Sequence, residues 1–332
     1  MTAAVKAIGG CLRAGQLIVL ESTTYPGTTS EVVRPILETT GLQSGIDFYL
    51  AYSPERLDPG NAEYSPSQIP KVVGADDDGG LAVAVAFYAS LVDQVVPVSS
   101  SKTAEVVKIA ENVFRAVNVA LVNELKIVYS KLGIDIFEVI AAAKTKPFGY
   151  MPFYPGPGLG GHCIPIDPFY LAWKARQSDI QVPLIERAGE INLEMPKYVV
   201  RRVGEILDQQ RGLALSRAKV LIVGVAYKRN VSDIRESPAL VMIDLLQEQG
   251  AAVEFHDPLV EVIPPNHRYP ALAGMKSVAM APDGVAKYDV VVIVADHTAI
   301  DWPALIEWAP LVVDTRNVAA GLDNGRGKIF AV

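Results

Sequence analysis

Cysteine is nearly absent from this chain. Two cysteines, Cys11 and Cys163, serve 332 positions, which excludes a disulfide framework and suits a reducing cytoplasm. A basic surplus is missing too. Thirty Lys and Arg stand against 37 Asp and Glu, for a net charge of −7. Nucleic-acid binding normally needs a basic footprint, so no nucleic-acid partner is expected. Anionic ligands must instead be met by local clusters of Lys or Arg. Long hydrophobic runs are lacking: Leu81 to Val92 is too short to span a bilayer. Neither a membrane partner nor a secretory signal is expected. His162 and Cys163 are neighbours, and no C-x-x-C or H-x-x-x-H spacing completes a metal site. No G-x-S-x-G turn follows a strand, which speaks against a Ser-His-Asp hydrolase. Repeats and low-complexity tracts are absent. What remains is half apolar, hence globular and ordered, and long enough for two or three domains.

The pattern along the chain predicts an α/β protein. Strands are expected at 16–21, 48–52, 71–74 and 95–98, with helices at 28–40 and 79–92 between them. Apolar strands alternating with helices indicate a parallel sheet covered on both faces. The glycine-rich turn that opens a nucleotide-binding domain is missing from the first 100 residues. This part reads as the second half of such a domain, from a late start or a truncated gene. Val106, Ile109, Val113, Val117, Leu121 and Leu125 then recur at helix spacing. A helix of about 30 residues is roughly 45 Å long, a central and dimer-forming spine. Shorter helices at 135–143 and 181–209 flank a glycine loop. From Arg217 a second α/β unit begins, with strands at 219–224, 253–257, 289–295 and 311–314, and Ser237-Pro238 opening a helix. The expected layout is a partial Rossmann-like domain (1–100), a central helical domain with the spine helix (101–212) and a C-terminal Rossmann-like α/β domain (213–332).

The loop from Gly156 to Pro168 reads GPGLGGHCIPIDP. Gly156, Gly158 and Gly161 spell G-x-G-x-x-G, but the flanking residues do not make the strand and helix that this fingerprint requires. Cys163 sits in it as a candidate nucleophile; a small buried hydrophobe is the alternative. Asp167, four residues on, can hold a water, while a cation is needed to stabilise a thiolate or oxyanion. Lys108 and Asn112 share a helix face at i and i+4 and suit that role. A solvated face is the equal alternative. In the last unit, Gly224 to Lys228 follow a strand directly. Arg229 and Arg235 come soon after, and Arg316 follows the strand ending at Asp314. Strand ends of an open α/β sheet bind ligands, so these cations suit a phosphate-bearing nucleotide, against ordinary surface charge.

Five segments together resemble the UDP-glucose/GDP-mannose dehydrogenase family: Glu21 to Pro26, Ser53 to Arg56, Lys108 to Asn112, the cysteine loop, and Gly224 to Lys228 with Arg235 to Ser237. The run from Phe153 to Ala175 resembles the UDP-N-acetylhexosamine branch, with UDP-N-acetylglucosamine the first expected substrate. UDP-glucose enzymes typically carry serine where His162 stands and glutamate where Pro59 stands. The resemblance implies a four-electron oxidation of the sugar C6 hydroxyl by NAD, through a Cys163 thiohemiacetal and thioester. It implies Lys108 for the oxyanion, Asn112 for orientation, Asp167 with Thr23 for a water, and Glu55 as base. Phe153, Tyr154, Gly158, Lys228 and Arg316 would bind substrate; Thr23, Glu55 and Arg235 would meet NAD. A homodimer or larger homo-oligomer through the central helix is expected. Because the first half of the NAD domain reads as missing, weak NAD binding and low turnover are also expected. Two other readings stay open: a catalytically silent UDP-sugar-binding or dimerisation module, and a dehydrogenase of the 6-phosphogluconate or 3-hydroxyacid type, which needs no cysteine.

Overall fold

The computed structural model describes residues 1–58, 63–161, 164, 166–322 and 328–332. They form two compact units. One comprises Met1–Arg115 with Ile166–Glu186, the other Ala116–Pro165 with Arg187–Val332.

The first unit begins with α1 (Thr2–Gly9) and β1 (Leu17–Leu20). A π-helical turn, Thr29–Val33, leads into α2 (Arg34–Glu38). β2 (Tyr49–Tyr52), β3 (Lys71–Ala75), α3 (Asp78–Ala89) and β4 (Val95–Val98) follow. The strands lie in the order β1-β2-β3-β4. Side chains alternate across a strand: Leu50 packs with Val5, Val33, Leu37 and Phe48, while Ala51 packs with Val73, Ala84 and Tyr88 on α3. Pro97 sits in the edge strand β4, where its missing N–H costs least.

The spine helix is α4 (Ser101–Leu132), and the division between units falls within it. α5 (Ile136–Ala143) belongs to the second unit, α6 (Asp167–Arg176) to the first, and α7 (Pro183–Arg211) crosses the division. The rest of the second unit is β5 (Lys219–Val223), α8 (Pro238–Glu248), β6 (Ala252–His256), α9 (Pro282–Val285), β7 (Val290–Ile293), α10 (Trp302–Trp308), β8 (Val312–Asp314) and β9 (Ile329–Ala331). Its sheet, β6-β5-β7-β8-β9, is parallel throughout. Val220, Ile222, Val253, Val290 and Val292 face α7 and α8. Leu221, Val223, Val291, Ile293 and Val312 face α10. The chain order reverses between β5 and β7, which is the place where such sheets bind ligands. Ser237 caps α8 through Ala239 N–H at 3.2 Å, as its Ser-Pro pair predicts.

Three local expectations need correction. The first sheet is mixed rather than parallel, because β2 and β3 run antiparallel. A parallel return needs a crossover, usually a helix, and the described residues between these strands hold one 3₁₀ turn, Pro66–Gln68. The helix expected over 28–40 is a π turn followed by a short α2. α6 occupies part of the stretch read as loop. β9 lies in a stretch for which no element was expected, three residues giving too short a pattern.

Candidate active site

In the first unit, α4 presents Glu105, Lys108 and Asn112 at spacings of three and four residues, hence along one face. Asn112 is buried, and its Nδ2 donates to Asp167 Oδ2 at 2.6 Å. Asp167 is itself buried and opens α6. These two predicted residues, 55 positions apart, are thus brought into contact. Lys108 lies half-buried between Asn112 and Glu105 along the helix.

Sequence reasoning passed over Glu105. Its side chain is fully buried. Oε1 accepts from Thr29 N–H at 2.8 Å and from Thr29 Oγ1 at 2.7 Å, and Oε2 accepts from Gly27 N–H. Burial holds its carboxyl above the usual carboxylate range, although the hydrogen bonds from Thr29 and Gly27 pull the other way. Glu105 therefore anchors the loop after β1, which carries Thr23 and the Thr24–Thr28 hydroxyl pair. Tyr52 was also passed over. Burial, then the fields of Glu105 and Asp167, push its phenol up, so its hydroxyl keeps its proton and donates to Ser22 O at 3.3 Å. The available signal was a glutamate three residues before Lys108 on an apolar helix.

Thr23 is half-buried beyond the carboxyl end of β1. Glu55 is exposed: it accepts from Leu57 N–H at 2.7 Å and lies 3.6 Å from Lys71 Nζ. Lys71 also pairs with Glu21 at 2.9 Å. The antiparallel course of β3 starts that strand at the carboxyl end of β2, which is how Lys71 comes to meet Glu55.

In the second unit the glycine loop is held from several sides. Asn123 Oδ1 on α4 accepts from Gly156 N–H at 3.0 Å. Asn123 Nδ2 donates to Asn192 Oδ1 at 3.1 Å, and Asn192 Nδ2 donates to Ala116 O at 2.9 Å. A Cβ on Gly156 would meet Arg316 Nη1 at 2.8 Å, and one on Gly160 would meet Tyr227 Cβ at 2.6 Å. The Gly160 contact leaves no room for a side chain, whereas the one at Gly156 would push the Arg316 guanidinium aside. Gly158 is buried against Pro196 of α7. Gly161 N–H donates to Arg235 O at 3.0 Å. Gly158, Arg316, the backbone of Arg235 and the segment carrying Lys228 are thus gathered around one loop. Phe153 packs with Val122, Ile136 and Ile140, while Tyr154 stays half-exposed. Half-buried Arg316 donates from Nε to Val294 O at 2.7 Å. Desolvation lowers its pKa, with Asp296 and Asp314 opposing. The Arg235 guanidinium is exposed and clamped by Asp233, at 2.6 Å from Nη2. His162 and Cys163 lie outside the described residues.

One unit thus holds a Rossmann-like parallel sheet with cations at its strand ends, and the other a buried Asn–Asp pair beside a helical lysine. Residues 1–92 match the NAD binding domain of the UDP-glucose/GDP-mannose dehydrogenase family, residues 102–194 its central domain, and residues 221–321 its UDP binding domain. The chain is 34% identical over 297 residues to UDP-N-acetyl-D-glucosamine 6-dehydrogenase of Pseudomonas aeruginosa, covering 89% of this chain and 68% of that protein. It is 39% identical over 256 residues to protein CapL of Staphylococcus aureus, covering 76% and 60%. It also resembles the structure of the UDP-D-ManNAc dehydrogenase of Pyrococcus horikoshii, with a TM-score of 0.83, 30% identity, and 95% and 72% covered. The chain belongs to the UDP-glucose/GDP-mannose dehydrogenase family.

Its cofactor is NAD. The described residues fit the group where it would meet the carboxyl end of the first sheet. There the buried Glu105 fixes a polar loop with Thr23 at its start, and Glu55 follows β2.

Proposed function

We propose that the chain is a UDP-N-acetylhexosamine 6-dehydrogenase, with UDP-N-acetylglucosamine as the first substrate to test. The division 1–100, 101–212 and 213–332 then assigns the cofactor, the catalytic helix and loop, and the UDP moiety in turn. NAD, when bound, supplies a hydride acceptor. Two hydrides would leave sugar C6 in succession, each taken by its own NAD, while the protons of the C6 hydroxyl and of the thiohemiacetal hydroxyl pass to solvent, four electrons in all. Between them Cys163 Sγ adds to the C6 aldehyde as a thiohemiacetal, whose oxidation leaves a thioester. Water then adds to the thioester carbonyl, the uronate leaves, and the thiol regains its proton.

The contact between Asn112 and Asp167 carries this reading. A buried carboxylate that accepts from an amide keeps a fixed orientation and is suited to orient a water. Lys108, one turn away on the same helix, supplies positive charge for an oxyanion. Thr23 hydrogen-bonds cofactor or water, and Glu55 is the base for thioester hydrolysis. Phe153, Tyr154 and Gly158 form the wall for the sugar nucleotide. Lys228 and Arg316 neutralise its phosphates, and Arg235 reaches a cofactor phosphate only by leaving Asp233. A homodimer through α4 and a cytoplasmic location complete the proposal; among the described residues no helix is long and apolar enough to cross a membrane.

The test is stoichiometry. With UDP-N-acetylglucosamine and NAD the full chain should form two NADH per uronate. Cys163→Ala should form no uronate and bind UDP within about threefold of the wild type, a change below 1 kcal/mol. Uronate formation by Cys163→Ala would sink the covalent route. UDP binding without any NADH would favour a silent sugar-nucleotide module.

A further inference from the structure

A second buried dyad lies at the point where chain order reverses in the second sheet. His297, just beyond β7, and Asp257, just beyond β6, have fully buried side chains. Asn230 N–H points at His297 Nδ1 over 3.0 Å. A backbone N–H only donates, so Nδ1 must accept and carries no proton. The ring proton therefore sits on Nε2, which donates to Asp257 Oδ2 at 3.1 Å. The hydrogen bonds thus specify one tautomer of a neutral imidazole. A doubly protonated ring would set two donors against each other at Asn230.

The dyad is tied to one segment. Asp257 Oδ2 also accepts from Val225 N–H at 2.7 Å and Ala226 N–H at 3.1 Å. Its Oδ1 accepts from Leu259 N–H at 2.8 Å and Val260 N–H at 3.1 Å. Burial alone would raise this carboxyl, but the hydrogen bonds from His297, Leu259 and Val225 hold it below the usual range. Asn230 is left-handed, with φ 58°. Its Oδ1 accepts from Thr298 N–H at 2.9 Å and Thr298 Oγ1 at 3.0 Å. Residues 225–230 are therefore fixed at their start by Asp257 and at their end by His297 and Thr298. Between these anchors stand Tyr227, which packs on Gly160 and Gly161 of the glycine loop, and Lys228.

We propose that His297, as its Nε2–H tautomer on Asp257, is a positioning residue that clamps the 225–230 segment for binding of the uridine diphosphate moiety. It acts through Asn230, Val225 and Ala226 and need not touch the ligand. The ligand class rests on the function proposed above; the clamp rests on the hydrogen bonds.

The experiment uses the full chain, ¹⁵N-histidine spectra and UDP titration calorimetry. Wild-type His297 should show a protonated Nε2 and an unprotonated Nδ1. His297→Gln offers an amide N–H to Asp257 and a carbonyl oxygen to Asn230. It should keep UDP affinity within about threefold, whereas His297→Phe should weaken it by about tenfold or more. A folded His297→Phe chain that binds UDP like the wild type overturns the proposal, as does an Nδ1–H tautomer in the wild type. If His297→Phe does not fold, His297→Ala, which removes both ring hydrogen bonds without added bulk, must show weaker binding; unchanged affinity overturns the proposal. A wild-type chain that does not bind UDP refutes the ligand assignment instead. Amide exchange at Val225, Ala226 and Asn230 then decides the clamp, and equal protection in wild type and His297→Phe overturns it.

Discussion

Lys126 on α4 is 5% exposed, and its Nζ lies 5.0 Å from the centre of the Phe137 ring. Burial drives its pKa down to about 8 from 10.5, while Asp314 and Asp135 pull it back. The folded chain therefore holds fewer protons here than the unfolded chain between pH 8 and 10.5. Stability rises with pH across that window, and the full cost of the buried ammonium is present below it. Lys126→Met, similar in length and uncharged, is expected to stabilise the protein at pH 7 by up to about 3 kcal/mol. The gain should shrink at about pH 9.5, partway through the titration window. Urea denaturation of both chains at the two pH values measures it. An equal gain at both would mean that packing, rather than the buried charge, causes the effect. Nothing in the sequence marks Lys126: lysine is common on exposed helix faces, and only the fold shows that this one points inward.

At the scale of elements, α4 was the most legible part of the chain, since its apolar residues keep a helical period from Val106 to Leu125. The strands β1 to β8 were legible for a related reason: their short apolar runs alternate with turn residues. What stayed hidden depends on partners distant in sequence. The antiparallel β2–β3 pairing follows from a connection without a helix. The π turn at Thr29–Val33 lies where Glu105, some 76 residues later, takes the N–H and hydroxyl of Thr29. The candidate site divides in the same way. Lys108 and Asn112 could be paired from helix spacing alone. The contact of Asn112 with Asp167, and the Asn192–Asn123–Gly156 relay, require tertiary structure. Glu105 offers a test of this element-to-loop coupling. Glu105→Gln keeps the shape but turns one acceptor into an N–H₂ that faces N–H donors. An unpaired buried group costs about 1–3 kcal/mol, so lower stability is expected in urea denaturation. Faster amide exchange at Gly27 and Thr29 should accompany it, with exchange in the second unit following global stability only. Unchanged Gly27 and Thr29 protection would show that the loop holds itself.

On the scale of the whole molecule, α4 also carries large apolar residues that stay about half exposed. Leu121 and Val128 are 53% and 47% exposed and stand seven residues apart. A seven-residue repeat keeps side chains along one stripe of a helix, with a drift of about 20° per heptad. Large exposed apolar residues in such a stripe are a costly surface for a monomer and a usual mark of an interface. Val106 and Leu132, 40% and 65% exposed, lie toward its two ends. A second copy of the same helix is the partner that the proposed homodimer supplies, and a self-complementary stripe suits a two-fold contact. Leu121→Glu places a charge at its centre, while position 121 already faces solvent in the single chain and so should tolerate it. The expected outcome in sedimentation velocity is a dimer for the wild type and a monomer for Leu121→Glu at the same micromolar concentration. Unfolding of the variant should become independent of protein concentration, because stability no longer depends on association. A wild-type chain that sediments as a monomer, or a variant that remains dimeric, would place the interface elsewhere and leave this stripe to another partner.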